Sequence, residues 1–272
     1  MIRRLGQPIA RGRTADIFAW EPDQILKLFH ADRSLASAEY EARISRLVHA
    51  SGLAIPAVGE IIETHGRYGL TYERIEGASL LTDLVARPWT LMRAALTLAE
   101  LHTTIHDHHG ADLPTIRQRL EKNIRSAASL PSSVEAQLLD SLSTLHDERS
   151  LLHGDFHPDN VLLTARGPII IDWNDATVGD PWADVARTSL LLTASQLPPD
   201  APGRLFISAG RRWLHRVYLK RYTKLRPEGR ARLARWQPIV AAARLAENVP
   251  GERDRLMALI MSPSPASSLR SR

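Results

Sequence analysis

The chain contains no cysteine. Disulfides, thiolate nucleophiles and cysteine-built zinc sites are therefore excluded, and the absence fits a reducing compartment. It also lacks any apolar run of the roughly 18 residues needed to cross a bilayer, so no membrane partner is expected. The first residues, MIRRLGQPIARGR, are basic but hold no apolar core of signal-peptide length, and the chain reads as cytoplasmic. Lysine is scarce, at 4 of the 35 basic residues. Arginine is thus the default cation, and a lysine in an apolar setting stands out. What is present is ordinary for a globular protein: 272 residues, 44% hydrophobic and 24% charged. That is enough for a sizeable core, in one large domain or two lobes.

The charge is unevenly spread. Residues 1–200 hold 19 Lys+Arg against 26 Asp+Glu, whereas residues 201–272 hold 16 against 4. A basic end can meet nucleic acid or an anionic substrate. No aromatic-basic motif of a nucleic-acid module accompanies it, so the reading is solvated helix faces and no nucleic-acid partner.

The first 75 residues read as strands around one helix. Residues 14–20 and 24–29 flank a Glu-Pro-Asp turn as a hairpin, and 55–63 and 67–74 flank His65-Gly66 as another. Between them, Ser34 is expected to cap a helix over 35–50 that ends near Gly52. Residues 75–78 read as a hinge. Beyond it, 91–106 carries Leu91, Ala94, Ala95, Leu98, Leu101 and Ile105 at helical spacing. Helices are also expected over 115–129, 133–145, 182–195, 203–222, 228–248 and 251–261. Two short apolar runs, 161–163 and 169–171, flank an expected turn at Arg166-Gly167. The pattern is α+β: a small-sheet N-terminal lobe (1–75), a mainly helical C-terminal lobe (76–261) and a disordered tail (262–272).

The segment LLHGDFHPDNVLLTARGPIIID places Asp155, Asn160 and Asp172 in one hairpin-like unit. A carboxylate such as Asp155, set beside a hydroxyl, orients it and accepts its proton as a bond to phosphorus forms. An amide oxygen (Asn160) and a carboxylate (Asp172), brought together across a short hairpin, suit Mg²⁺ held against nucleotide phosphates. Lys27 follows Ile25-Leu26 on the second strand of the first hairpin, a setting for a point contact to phosphates. Glu41 in the next helix is expected to pair with it. Glu39 is the alternative, and the two cannot both face the sheet. Gly12, in ARGRTADI before a strand, opens a loop whose backbone amides suit phosphates, though it fits neither glycine-rich phosphate motif.

HGDFHPDN, then IIIDW, then GDPWADVAR resemble the aminoglycoside phosphotransferase and choline kinase-like family, small-molecule kinases with the protein-kinase fold. The resemblance covers most of the chain. It implies that Lys27 is the strand lysine, Glu41 its helix glutamate, Asp155 the catalytic aspartate, and Asn160 and Asp172 the metal ligands. It further implies that YERIEG, with Glu73 and Ile75, is the linker whose backbone holds adenine. The implied cofactors are ATP and Mg²⁺, and the implied partner is a small-molecule hydroxyl acceptor. His-Gly-Asp stands where protein kinases have H-R-D, and no A-P-E segment follows Asp172, which argues against a peptide acceptor. Asp180 and Asp184 read as braces of the following turn, and His153 as a buttress of the catalytic loop.

Two other readings remain open on the residues alone. One is a nucleotide-binding pseudokinase that transfers nothing. The other is a metal hydrolase built on His102 and His106, which share a helix face but lack the glutamate of H-E-x-x-H. As for the acceptor, aminoglycosides are polycations that need acidic walls, whereas the C-terminal helices are rich in arginine. A neutral or anionic hydroxyl compound is expected, with Asp175 and Glu247 the acids placed to line a pocket.

Overall fold

The computed structural model describes residues 5–146, 148–194 and 204–262. The expected tail lies outside the described residues except for Ser262, as do positions 195 and 203 at the ends of two expected helices.

Strands β1 (Ala10–Arg11), β2 (Ala15–Ala19) and β3 (Gln24–Phe29) run antiparallel, with the Glu-Pro-Asp turn between β2 and β3. Helix α1 (Leu35–Ala50) follows, then β4 (Val58–Thr64) and β5 (Arg67–Glu73). His65 and Gly66 between these strands both have positive φ, 51° and 68°. That is the type I′ geometry, whose twist matches the flanking strands. The sheet order is β1-β2-β3-β5-β4, antiparallel throughout. Alternation along β3 serves both faces of this sheet. Leu26 and Leu28 join Phe18 in one cluster, while Phe29 joins Ala38 and Ala42 of α1 in the other. Lys27, two positions before Phe29, therefore faces α1. Ser34 stands at the helix N-cap in extended conformation, but its side chain makes no cap bond. Its hydroxyl meets that of Ser37 instead, at 3.4 Å, so the expected capping is corrected.

The rest of the chain runs β6 (Ala78–Ser79), α2 (Leu80–Ala86), α3 (Leu91–His106), α4 (Ile116–Ser126), α5 (Ser132–Ser143), β7 (Ser150–Leu152), β8 (Val161–Thr164), β9 (Gly167–Ile170), β10 (Thr177–Gly179), α6 (Pro181–Ala194), α7 (Arg204–Leu225), α8 (Arg230–Leu245) and α9 (Arg253–Met261). The β8–β9 turn lies at Ala165-Arg166, one position earlier than expected, because Gly167 already pairs with Thr164. The stretch read as a hinge leads into β6, which pairs with β8. Gly77 is required there, since a Cβ would stand 2.4 Å from the Leu163 carbonyl oxygen.

The chain divides into two compact units. The first is Met1–Thr82 with Asp159–Asp175, which adds the β6-β8-β9 sheet to the five-stranded one. The second is Asp83–Pro158 with Ala176–Arg272. It is mainly helical: α3 packs on α7, α6 and α4 on α8, and α8 on α9. Its core includes Trp182, Trp236, Tyr218, Tyr222 and Phe156, all fully buried. The short β7–β10 ladder (Leu152 opposite Thr177) starts the two loops that carry His153–Asp155 and Asp180. Among the described residues no helix is long and apolar enough to cross a membrane.

Candidate active site

In the first unit, Lys27 Nζ lies 2.8 Å from Glu41 Oε1 and 2.8 Å from Asp172 Oδ1. Three distant parts of the chain meet here: a strand, a helix and the end of the β8–β9 hairpin. Glu41 is buried and Glu39 exposed, which settles which glutamate faces the sheet. The Tyr72 hydroxyl donates to Glu41 Oε1 at 2.9 Å and lies 3.2 Å from Ser45 Oγ. Burial works against the Lys27 ammonium, but Asp172 and Glu41 outweigh it, so its pKa is raised above the ordinary lysine value. Tyr72 is raised as well, by burial and then by Glu41. Tyr72 opens the YERIEG stretch, but its contact with Glu41 was not expected, although its place two residues from Leu70 on β5 puts it on the α1 face.

The hairpin register pairs Val161 with Ile170, and the Ile171 amide donates to the Asn160 carbonyl at 3.0 Å. Asn160 and Asp172 therefore lie at the same end of the hairpin, Asn160 buried and Asp172 exposed. Asp172 has φ +65°, a left-handed conformation that is costly for a residue with a Cβ and that clusters at functional sites. Gly12 sits in the β1–β2 turn, its amide donating to the Ala15 carbonyl at 2.9 Å. Glu73 ends β5, and its carboxylate accepts from the Ala57 amide at 3.2 Å and from Arg166 at 3.4 Å. Ile75, just beyond, is half-buried.

In the second unit, Asp155 follows β7 in a loop fixed from several sides. Its amide donates to His153 Nδ1 at 3.2 Å. Its carboxylate lies 3.4 Å from Arg187 Nη2 and 3.5 Å from His157 Nε2. Burial opposes the Asp155 charge, but the His157 hydrogen bond and the Arg187 guanidinium prevail and hold the carboxyl well below the usual range. Arg187 on α6 also donates to the Gly154 carbonyl at 3.2 Å and pairs with Glu247 at 2.7 Å. Arg187 ends the motif GDPWADVAR, which assigned it no role; it reaches the loop from α6.

Asp184, also on α6, is fully buried and holds the same loop. It accepts from the amides of His153 (2.6 Å) and Gly154 (3.0 Å), from His102 Nε2 (3.1 Å) and from His106 Nε2 (3.4 Å). The bonds from the amides and from the two histidines hold its carboxyl well below the usual range despite burial. Burial, aided by His102, pushes His106 down to about 3, so its ring is neutral. A carboxylate can only accept, so His106 Nε2 carries the proton and Nδ1 accepts from the Tyr222 hydroxyl at 2.8 Å. His102 makes the equivalent contacts to Asp184 and to Tyr218, the latter at 2.7 Å. The three ligand atoms lie within 4.8 Å of one another, a spacing that by itself suits a metal. Their hydrogen bonds link the two histidines to Asp184 and two tyrosines, and Asp184 to the His153–Asp155 loop, which accounts for the shared helix face of His102 and His106. Asp180 is the expected brace: it accepts from the Trp182 amide at 3.0 Å, Arg232 at 3.0 Å and Trp236 Nε1 at 2.9 Å.

A half-buried strand lysine paired with a helix glutamate and a hairpin aspartate in the first unit, and an aspartate loop held by α6 in the second, fit a kinase-like fold. The family model described as the phosphotransferase enzyme family matches residues 6–227, and the chain belongs to that family. Membership supports a small-molecule phosphotransferase. Solved structures share the fold. One is a thermostable mutant of aminoglycoside phosphotransferase APH(4)-Ia in complex with AMP-PNP and hygromycin B, at 21% identity, TM-score 0.64, covering 97% of this chain and 95% of that one. Another is a choline/ethanolamine kinase family protein from Mesorhizobium loti, at 18% identity, TM-score 0.59, covering 99% and 91%. A third is an amicoumacin kinase with AMP-PNP and Ca²⁺, at 15% identity, TM-score 0.60, covering 93% and 86%. No curated protein matches the chain by sequence.

Proposed function

We propose that the protein is a small-molecule kinase that moves the γ-phosphate of ATP to a hydroxyl group, with Mg²⁺. The observation that carries this reading is the Lys27–Glu41–Asp172 group, with both carboxylates 2.8 Å from one ammonium. In this reading Lys27 holds the α and β phosphates as a point charge, and Glu41 holds Lys27. Backbone amides around Gly12 cover the phosphates, and the backbone of Glu73 and Ile75 holds adenine. Residues 1–75 then act as the nucleotide lobe and 76–261 as the catalytic and acceptor lobe. The Asn160 amide oxygen and the Asp172 carboxylate form the hard oxygen set that suits Mg²⁺, and their place at one hairpin end supports the fit. When bound, Mg²⁺ neutralises charge on the β and γ phosphate oxygens.

Asp155 orients the acceptor hydroxyl. Held ionised by His157 and Arg187, it can only accept a hydrogen bond, so it draws the hydroxyl proton toward itself and aims the oxygen lone pair outward. A loose transition state for phosphoryl transfer moves the proton late, so a weakly basic carboxylate suffices. The similar structures are named for aminoglycosides, choline or ethanolamine and amicoumacin, which supports a small-molecule acceptor. ATP as donor fits a cytoplasmic location.

Calorimetry of ATP binding against Mg²⁺ concentration tests this reading. Wild type should bind ATP more tightly as Mg²⁺ rises, and Asp172→Ala and Asn160→Ala should lose that dependence. Affinity that ignores Mg²⁺ in all three proteins would remove the metal assignment.

A further inference from the structure

The carboxylate that shares Arg187 with Asp155, Glu247, is already taken by arginine on both oxygens. Arg187 spans Asp155 Oδ1 (3.4 Å) and Glu247 Oε1 (2.7 Å). The other oxygen of Glu247 lies 2.5 Å from Arg244 Nη1, and Arg244 Nε lies 2.8 Å from Glu252. The result is one alternating chain, Asp155–Arg187–Glu247–Arg244–Glu252, lying across α6, α8 and the turn into α9. The members nearest the reacting group keep some solvent contact: the side chains of Asp155, His157 and Glu247 are 27%, 28% and 20% exposed and that of Arg187 is 13% exposed. An acceptor whose hydroxyl lies on Asp155 therefore meets Arg187 and Glu247 as its immediate neighbours.

We infer that Arg187 is the specificity-determining residue for acceptor charge: it fills the position beside Asp155 that an acceptor ammonium would occupy, and so selects a hydroxyl compound that is neutral or anionic next to the reacting oxygen. The inference rests on the phosphotransfer reading above. Like charges at such a distance in a partly desolvated site repel strongly. An ammonium could enter only by displacing a guanidinium already bonded to two carboxylates and to the Gly154 carbonyl. Glu247, the acid placed by sequence to attract a cation, is neutralised from both sides by Arg187 and Arg244.

The two ends of the Arg187–Glu247 pair make opposite predictions, which a merely structural role does not. Arg187→Gln removes the positive charge that lies between the two carboxylates and should strengthen binding of a polycation, whereas Glu247→Gln leaves Arg187 less compensated and should weaken it. Arg187→Lys keeps the charge and should behave as wild type. Gentamicin serves as the polycationic probe, measured by calorimetry on the full chain loaded with AMP-PNP, alongside kcat/KM across neutral, anionic and cationic hydroxyl compounds. Expected are a best acceptor with no ammonium beside its reacting hydroxyl, and a gentamicin affinity that rises about tenfold in Arg187→Gln and falls in Glu247→Gln. Micromolar gentamicin binding by wild type would overturn the inference, and so would shifts of the same sign, or no shift, in the two variants. Loss of AMP-PNP binding and of all ATP consumption would instead sink the kinase reading. Gentamicin affinities of unloaded wild type and variants would then still decide the charge selection.

Discussion

At Lys27, loss of water works against an ammonium, and two carboxylates at 2.8 Å reverse the outcome. Removing one of them is expected to show in both folding and nucleotide binding. Glu41→Gln leaves Lys27 with Asp172 and leaves the Tyr72 hydroxyl a neutral acceptor, at a cost of about 1–3 kcal/mol in denaturant unfolding. ATP affinity should fall about tenfold in the same variant, because Lys27 is no longer held toward the phosphates. His106 makes a second residue-scale prediction. Its folded pKa of about 3 lies below the ordinary 6.5, so the unfolded chain takes up a proton that the folded chain refuses. The pH dependence is absent above 6.5, and stability is lost as pH falls from there toward 3, at about 1.4 kcal/mol per pH unit. Unfolding midpoints between pH 6.5 and 4 should slope less steeply in His106→Asn than in wild type. Equal slopes would show that burial does not hold this ring neutral. The Lys27–Glu41 pairing was legible because a lysine among apolar strand residues departs from its surroundings. The contacts of Arg187 and Tyr72 were not, although both lie in the motifs GDPWADVAR and YERIEG, because which partner each side chain reaches is set by tertiary packing.

At the scale of elements, long periodic segments could be read directly: α1 and α3 span the expected 35–50 and 91–106. The short ladders could not. β1 and β6 have two residues each, and β7 and β10 have three, too few for alternation to declare itself. The partners of β6, β7 and β10 also lie far along the chain, as when Leu152 pairs with Thr177. Yet two of these ladders place the candidate site residues, since β7 leads into Asp155 and β6 pairs with the hairpin that carries Asn160 and Asp172. Gly77 makes this testable. A methyl group there meets the Leu163 carbonyl oxygen at 2.4 Å, so Gly77→Ala should destabilise the protein by about 1–3 kcal/mol. It should also weaken the Mg²⁺ dependence of ATP binding, because the hairpin end shifts. A melting temperature equal to wild type would mean that β6 does not pin β8.

On the scale of the whole molecule, the basic C-terminal quarter has a structural use. Arg221 pairs with Glu100, Arg226 with Asp107, Arg232 with Glu148 and Asp180, and Arg244 with Glu247 and Glu252. The excess positive charge of residues 201–272 is thus partly spent on acids from the less basic part of the chain and from its own helices. The fold and the family are those that the resemblance of HGDFHPDN, IIIDW and GDPWADVAR implied. The choice of acceptor was less legible, because it depends on which charges tertiary packing has already paired. The central claim is that Asp155 serves transfer and not nucleotide binding. The direct test is single-turnover transfer from ATP to the best acceptor in wild type and Asp155→Ala, with ATP affinity measured on both. The account predicts unchanged ATP affinity and a transfer rate lower by about 10²–10⁴. Transfer at the wild-type rate in Asp155→Ala would contradict it.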